Sequence, residues 1–292
     1  MKKIYNKSIF LLLVSFIFFS FIGCSKDVTK IDKKIKVAVS IVPQKTFVEA
    51  VGGDLVEVVT MIPPGNSPEN YAPSPRELQI LSESSIYFTI GVPAEKANIL
   101  PKISDINENI QMVSLEEEVS KVYKDREFAP GKRDPHIWLS PKRAKLMVEI
   151  IKNELSEIDP LNKEVYEKNS KAYIEKLNRL DKEIKLSIEK LPKKAFIVYH
   201  PAFGYFADDY GLKMIPIEKE GKEATIEDIK EIIDFAKKEN IKTVFYQAEI
   251  DSKQSRVIAQ EIEGKTKEIA PLSPNYIENL ENMAKIFADV LK

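Results

Sequence analysis

Short apolar, β-branched runs alternate with stretches of helical period along most of this chain. Ile35 to Pro43 reads as a strand stopped by proline, and Thr46 to Val51 as a short helix closed by Gly52-Gly53. Leu55 to Ile62 and Ile86 to Ile90 are predicted as further strands. Between them, Ser74-Pro75-Arg76-Glu77 carries a helix start signal, with serine as cap, proline in the first turn and glutamate completing a capping box. Ser140-Pro141 opens another helix, whose stripe runs through Ala144, Met147, Val148, Ile151 and Leu155 until Asp159-Pro160 breaks it. A long helical stretch follows, about Asn162 to Lys190. It is apolar at Tyr166, Tyr173, Leu177, Leu180, Ile184 and Ile188 and contains no glycine or proline.

After Pro192 the alternation restarts. Strands are predicted at Ala195 to Tyr199 and Thr243 to Tyr246. Helices are predicted at Asp228 to Asn240, capped by Thr225, at Ser252 to Glu263, and at Tyr276 to Leu291. Strand–helix alternation implies parallel strands with crossover helices. The expected fold is α/β: two lobes, each a mainly parallel sheet flanked by helices around its own core, joined by one long spine helix. The expected lobes are residues 35–159 and 192–292, with the connecting helix at 160–191.

The N-terminus has a different pattern. Lys2, Lys3 and Lys7 precede an apolar run from Ile9 to Ile22, and the chain then reads Phe21-Ile22-Gly23-Cys24-Ser25. This is a secretory signal pattern, too short for a comfortable membrane span of ~20 apolar residues. Residues 1–23 are therefore expected to be a signal peptide. A small residue before the chain's single cysteine resembles a bacterial lipobox, with Phe21 in place of the usual leucine. That resemblance implies lipidation of Cys24. Polar, aperiodic residues 24–34 read as a tether, placing the protein at the outer face of a cytoplasmic membrane.

Charge narrows the partners further. With 44 basic and 45 acidic residues there is no electrostatic case for nucleic acid, and no basic stripe with interleaved aromatics appears. Ten glycines and no GxGxxG argue against a nucleotide cofactor. One cysteine makes neither an internal disulfide nor a thiolate metal cluster. A monomer is expected.

Two histidines remain, one in each predicted lobe. His136 sits in Asp134-Pro-His-Ile-Trp138, entering the Ser140 helix, and His200 ends the Ala195 strand. Carboxyl ends of parallel strands are where open α/β sheets bind ligands. A lone histidine is usually structural, but this strand-end placement and the split between lobes point to metal ligation.

Around these residues the sequence resembles the zinc- and manganese-binding lipoproteins of ABC importers. The resemblance lies in Gly65 to Pro75, Asp134 to Pro141, His200 to Leu212, Val244 to Glu249 and Pro271 to Tyr276, in order and spacing. It implies two α/β lobes, a rigid connecting helix, a metal (Zn2+ or Mn2+) buried between the lobes, and delivery to an ABC permease in the membrane. His136 and His200 match two ligand positions of that family. Glu69 stands where the family usually has histidine, and Ala270, which cannot coordinate, stands where it usually has aspartate. Glu249 is the expected replacement ligand, ahead of Gln247. Glu218 or Glu220 could also reach in as the fourth ligand, although both lie in a charged loop and read more readily as solvated. Neutral imidazoles bind metals, so affinity is expected to fall as the histidines protonate.

Two rival readings differ in chemistry. A metal-dependent hydrolase would need an open metal position and a placed base, but the chain has no HExxH, nucleophile elbow or triad. A degenerate surface lipoprotein of adhesin type is suggested by the two departures at four ligand positions. The expectation is a non-enzymatic capture protein.

Overall fold

The computed structural model describes residues 34–219, 221–250 and 253–292. The expected signal peptide, Cys24, nearly all of the tether, and Glu220 lie outside them. Residues Lys34–Lys292 form one compact unit. Among the described residues, no helix is long and apolar enough to cross a membrane.

The first sheet has strands β1 (Ile35–Val39), β2 (Val56–Thr60), β3 (Ile86–Thr89) and β4 (Gln111–Ser114), in the order β2-β1-β3-β4. The second has β7 (Ala195–Val198), β8 (Lys213–Pro216), β9 (Thr243–Tyr246) and β10 (Lys265–Glu268), in the order β10-β9-β7-β8. All pairings within both sheets are parallel. A small antiparallel pair, β5 (Glu127–Ala129) and β6 (Lys132–Arg133), lies between them in the chain. In each sheet the strand order reverses beside the first strand, at β1/β3 and at β7/β9. Such switch points leave a crevice at the carboxyl ends of the strands.

The helices are α1 (Val42–Gly52), α2 (Pro75–Ser82), α3 (Ile103–Ile106), α4 (Leu115–Ser120), α5 (Pro141–Ile158), α6 (Lys163–Ile188), α7 (Gly204–Tyr210), α8 (Ile226–Lys238), α9 (Lys253–Glu261) and α10 (Tyr276–Val290). The start signals act as expected. Ser74 and Glu77 form a capping box on α2, Ser140 accepts from the Arg143 N–H on α5, and Thr225 accepts from Asp228 on α8. The spine α6 has 26 residues, about 39 Å at 1.5 Å each. All six of its predicted apolar positions are buried, facing α1, α5 and α10.

The first strand is shorter than expected and the first helix longer. β1 ends at Val39, and α1 begins at Val42 with Pro43 in its first turn. Proline lacks only an N–H that a helix start leaves unpaired anyway. Periodicity alone does not separate strand from buried helix in an apolar run such as Ser40 to Val42. A side chain makes the join. Gln44 Oε1 accepts the N–H groups of Ser40 and Ile41, and its Nε2 donates to the carbonyls of Phe88 and Thr89. One fully buried amide thus satisfies four backbone groups where β1 and β3 run out of partners.

The core is not divided at the lobe boundary. The largest buried cluster joins Val37, Phe88 and Trp138 to Leu177 and Ile188 of the spine, and continues into Phe196, Val198, Phe245 and Phe287. A second cluster, with Ile197, Tyr199, Val244, Ile232 and Ile258, covers the other face of the second sheet. Successive residues of β7 fall into different clusters because a strand presents side chains to alternate faces. Two bonds clamp the lobes further: Trp138 Nε1 donates to Pro271 O at 2.9 Å, and Tyr276 Oη donates to Trp138 O at 2.6 Å.

Candidate metal centre

His200 lies two residues past β7, at the carboxyl end of the second sheet, and is 5 % exposed. His136 precedes the turn Ile137–Leu139 that feeds α5, and is 4 % exposed. Their Nε2 atoms lie 3.2 Å apart, with the rings at 74°. Glu69 reaches the same point from the loop after β2, its Oε1 3.6 Å from His200 Nε2. That loop is pinned on both sides of Glu69, since Ala94 N–H donates to Pro68 O and Asn98 Nδ2 to Tyr71 O. Ligand atoms of Glu69, His136 and His200 all lie within 4.8 Å of one another.

Each imidazole is oriented by a carboxylate behind it. Asp134 Oδ1 lies 2.7 Å from His136 Nδ1. Both Glu218 oxygens lie 3.2 Å from His200 Nδ1. A carboxylate at Nδ1 selects the tautomer with the proton there, which leaves the Nε2 lone pair free. Two such lone pairs facing each other repel unless something positive sits between them. Tetrahedral ligands at about 2.0–2.1 Å from a metal stand about 3.3 Å apart, which matches the observed separation. Two imidazoles and one carboxylate suit Zn2+ and Mn2+ alike.

Asp134 is itself held from both lobes. It is fully buried, and Arg126 Nε approaches its Oδ2 at 3.3 Å while Arg126 Nη1 faces Asp208 Oδ2 at 3.2 Å. Tyr205 donates to Asp134 O and accepts from the Arg126 N–H, each at 3.0 Å. Burial pushes the Tyr205 phenol up to about 12, so it remains a hydroxyl donor. Gly204 leaves room for this arrangement, because a β-carbon there would come within 2.6 Å of Asp134 Oδ2.

The other expected donors stand differently. Glu218 is buried at 6 % exposure and engaged with His200, contrary to the expectation of a solvated side chain. The reason is its place two residues past β8, where its N–H still donates to Tyr199 O and continues the pairing with the chain after β7. Glu249, expected as the fourth ligand, is not part of the three-residue group. It lies in the turn after β9, with Oε2 buried and without a hydrogen-bond partner. Gln247 is buried at the end of β9, and Ala270 offers only its carbonyl, which accepts from Asn279. Asp134 was not singled out by the sequence reading. Its signal was the i, i+2 spacing to His136, where the Asp134 side chain also accepts the His136 N–H.

A cavity of about 390 Å³ opens beside the centre, lined by Glu69, His200 and Glu218 among others.

Comparison with known proteins agrees with this geometry. The family described as zinc-uptake complex component A, periplasmic (ZnuA), matches residues 37–290. The high-affinity zinc uptake system protein ZnuA of Bacillus subtilis is 32% identical over 246 residues, covering 80% of this chain and 77% of its own length. The manganese ABC transporter substrate-binding lipoprotein PsaA of Streptococcus mitis is 29% identical over 273 residues, covering 89% and 87%. A crystal structure of a ZnuA superposes with a TM-score of 0.84 at 37% identity, over 89% of this chain and all of that one. With two parallel sheets, a long spine helix and paired histidines between the lobes, this chain belongs to the ZnuA family of metal-binding, non-enzymatic solute-binding proteins of ABC transporters.

Proposed function

We propose that this chain captures zinc or manganese outside the cytoplasm, through Glu69, His136 and His200, and delivers it to an ABC permease. The observation that carries the reading is the pair of Nε2 atoms 3.2 Å apart, each ring braced by a carboxylate at Nδ1. Relatives named for zinc and for manganese are about equally similar, and the donor set accepts both. Glu69 hardens the site relative to histidine, which favours manganese more than an all-imidazole set would. Lipidation at Cys24 would hold the domain beside its permease, in keeping with relatives named as lipoproteins.

Elemental analysis of the full chain after exposure to equimolar zinc and manganese tests the reading. About one metal per chain is expected, lost in both His136→Ala and His200→Ala. A chain that holds no metal, or holds it undiminished in both variants, sinks the proposal.

A further inference from the structure

The described donors leave a tetrahedral metal one ligand short. Glu69, His136 and His200 supply three atoms, and no further carboxylate, thiolate or imidazole joins that group among the described residues. The remaining position is ordinarily filled by water or by something that arrives with the metal.

The cavity beside the centre favours the second. At about 390 Å³ it is far larger than the ~30 Å³ share of one water and falls in the range of small-molecule pockets. Its lining is asymmetric. Glu69, His200 and the Glu218 carboxylate behind it stand on the metal side, while Lys96 and Arg133 bring two cations to the opposite wall, among apolar residues such as Phe128 and Pro201. Lys96 is exposed; its nearest charged neighbour is the Glu116 carboxylate, whose ionised form it favours from a distance without a close ion pair. Arg133 is anchored by Asp125 at 2.8 Å and by the Glu116 carbonyl at 3.2 Å, yet its Nη1 has no hydrogen-bond partner. Cations beside a cation-binding site work against a bare dication. They suit an anion that binds metal with one end and lysine or arginine with the other.

We infer that the cargo is a metal–carboxylate complex, in which a small polycarboxylate completes the coordination sphere and places a second carboxylate against Lys96 and Arg133. This rests on the metal-capture reading above. No covalent bond is made or broken.

Equilibrium dialysis of the full chain separates the possibilities, with zinc measured by elemental analysis and citrate by radiolabel. The dialyses contain zinc alone, citrate alone, or both. About one citrate retained per zinc, and only when zinc is present, is the expected result. Lys96→Glu should weaken citrate retention about tenfold or more, the value of one charge-assisted contact, and Lys96→Arg should restore it. Stoichiometric zinc without citrate overturns the inference, leaves metal capture standing, and assigns the fourth position to water. Citrate retained equally without zinc also overturns it, as an independent anion site. Failure to bind zinc in any dialysis removes the capture reading, and this inference with it.

Discussion

Asp134 grips His136 twice: one carboxylate oxygen lies 2.7 Å from the ring Nδ1 and accepts the backbone N–H at 3.0 Å. The same carboxylate faces Arg126, which also faces Asp208 on α7, the helix that follows His200. One buried group thus fixes the tautomer of one candidate ligand and ties it to the lobe that carries the other.

Asp134→Ala should therefore lower metal affinity by about 10–100-fold with both histidines in place, the usual cost of losing a hydrogen-bond partner behind a ligand. Competition with a chromogenic chelator measures it. Because Arg126 also loses a partner, Asp134→Asn serves as the shape-conserving companion. Its affinity should fall between wild type and alanine, and unchanged affinity in both variants would refute the bracing role.

Gly204→Ala tests the close approach of α7 to the Arg126–Asp134 pair. The added methyl would overlap the Arg126 side chain and Asp134 Oδ2, so that buried pair must give way. A loss of about 1–3 kcal/mol in urea unfolding is expected, the typical cost of overpacking, together with weakened metal binding. A neutral substitution would mean that the interface yields freely.

The N-terminal lobe should show its own pH signature. Glu95 is fully buried, and burial pushes its carboxyl up to about 7. Ser40 Oγ and the Ile90 N–H meet its Oε2, and the Gly91 N–H donates to its Oε1. Tyr87, bonded to the same serine, and Glu116 complete its surroundings. The native carboxyl keeps its proton to higher pH than the unfolded one does, so the folded state binds more protons between about 4.5 and 7. Its contribution is fully present below about 4.5 and is lost as pH rises through about 7. The window spans on the order of 3 kcal/mol. Glu95→Gln should flatten the stability–pH curve there, read by urea denaturation in excess chelator so that metal binding does not contribute.

Loading should move the lobes little. The 26-residue spine is packed along both lobes, and the main core crosses between them without interruption. A wide hinge would break that core. Small-angle scattering with and without metal should give radii of gyration differing by less than about 1 Å, within the range of small packing shifts rather than clamshell closure. A larger change would show that the core parts between the lobes.

Local chemistry made much of this protein legible. The cap at Ser74, the breaker at Asp159-Pro160 and the spine stripe from Tyr166 to Ile188 are all encoded within a few residues of where they act. Strand–helix alternation then dictated two parallel sheets, because crossover connections allow little else. It also put His200 at the carboxyl end of a strand. Other features depended on residues far apart in sequence. Neither the 3.2 Å approach of His136 and His200, 64 residues apart, nor the burial of Glu218 behind His200 has a local signal. The same holds for the place of Glu249 outside the three-residue group, since where a carboxylate points is set by the fold. The short β4, β8 and β10 escaped pattern reading because sheet neighbours, rather than their own alternation, hold them in place. Residue types and spacing determined which groups were chemically able to hold a metal. Tertiary packing decided which three converge, because convergence is a matter of distance between lobes that no local stretch of chain contains.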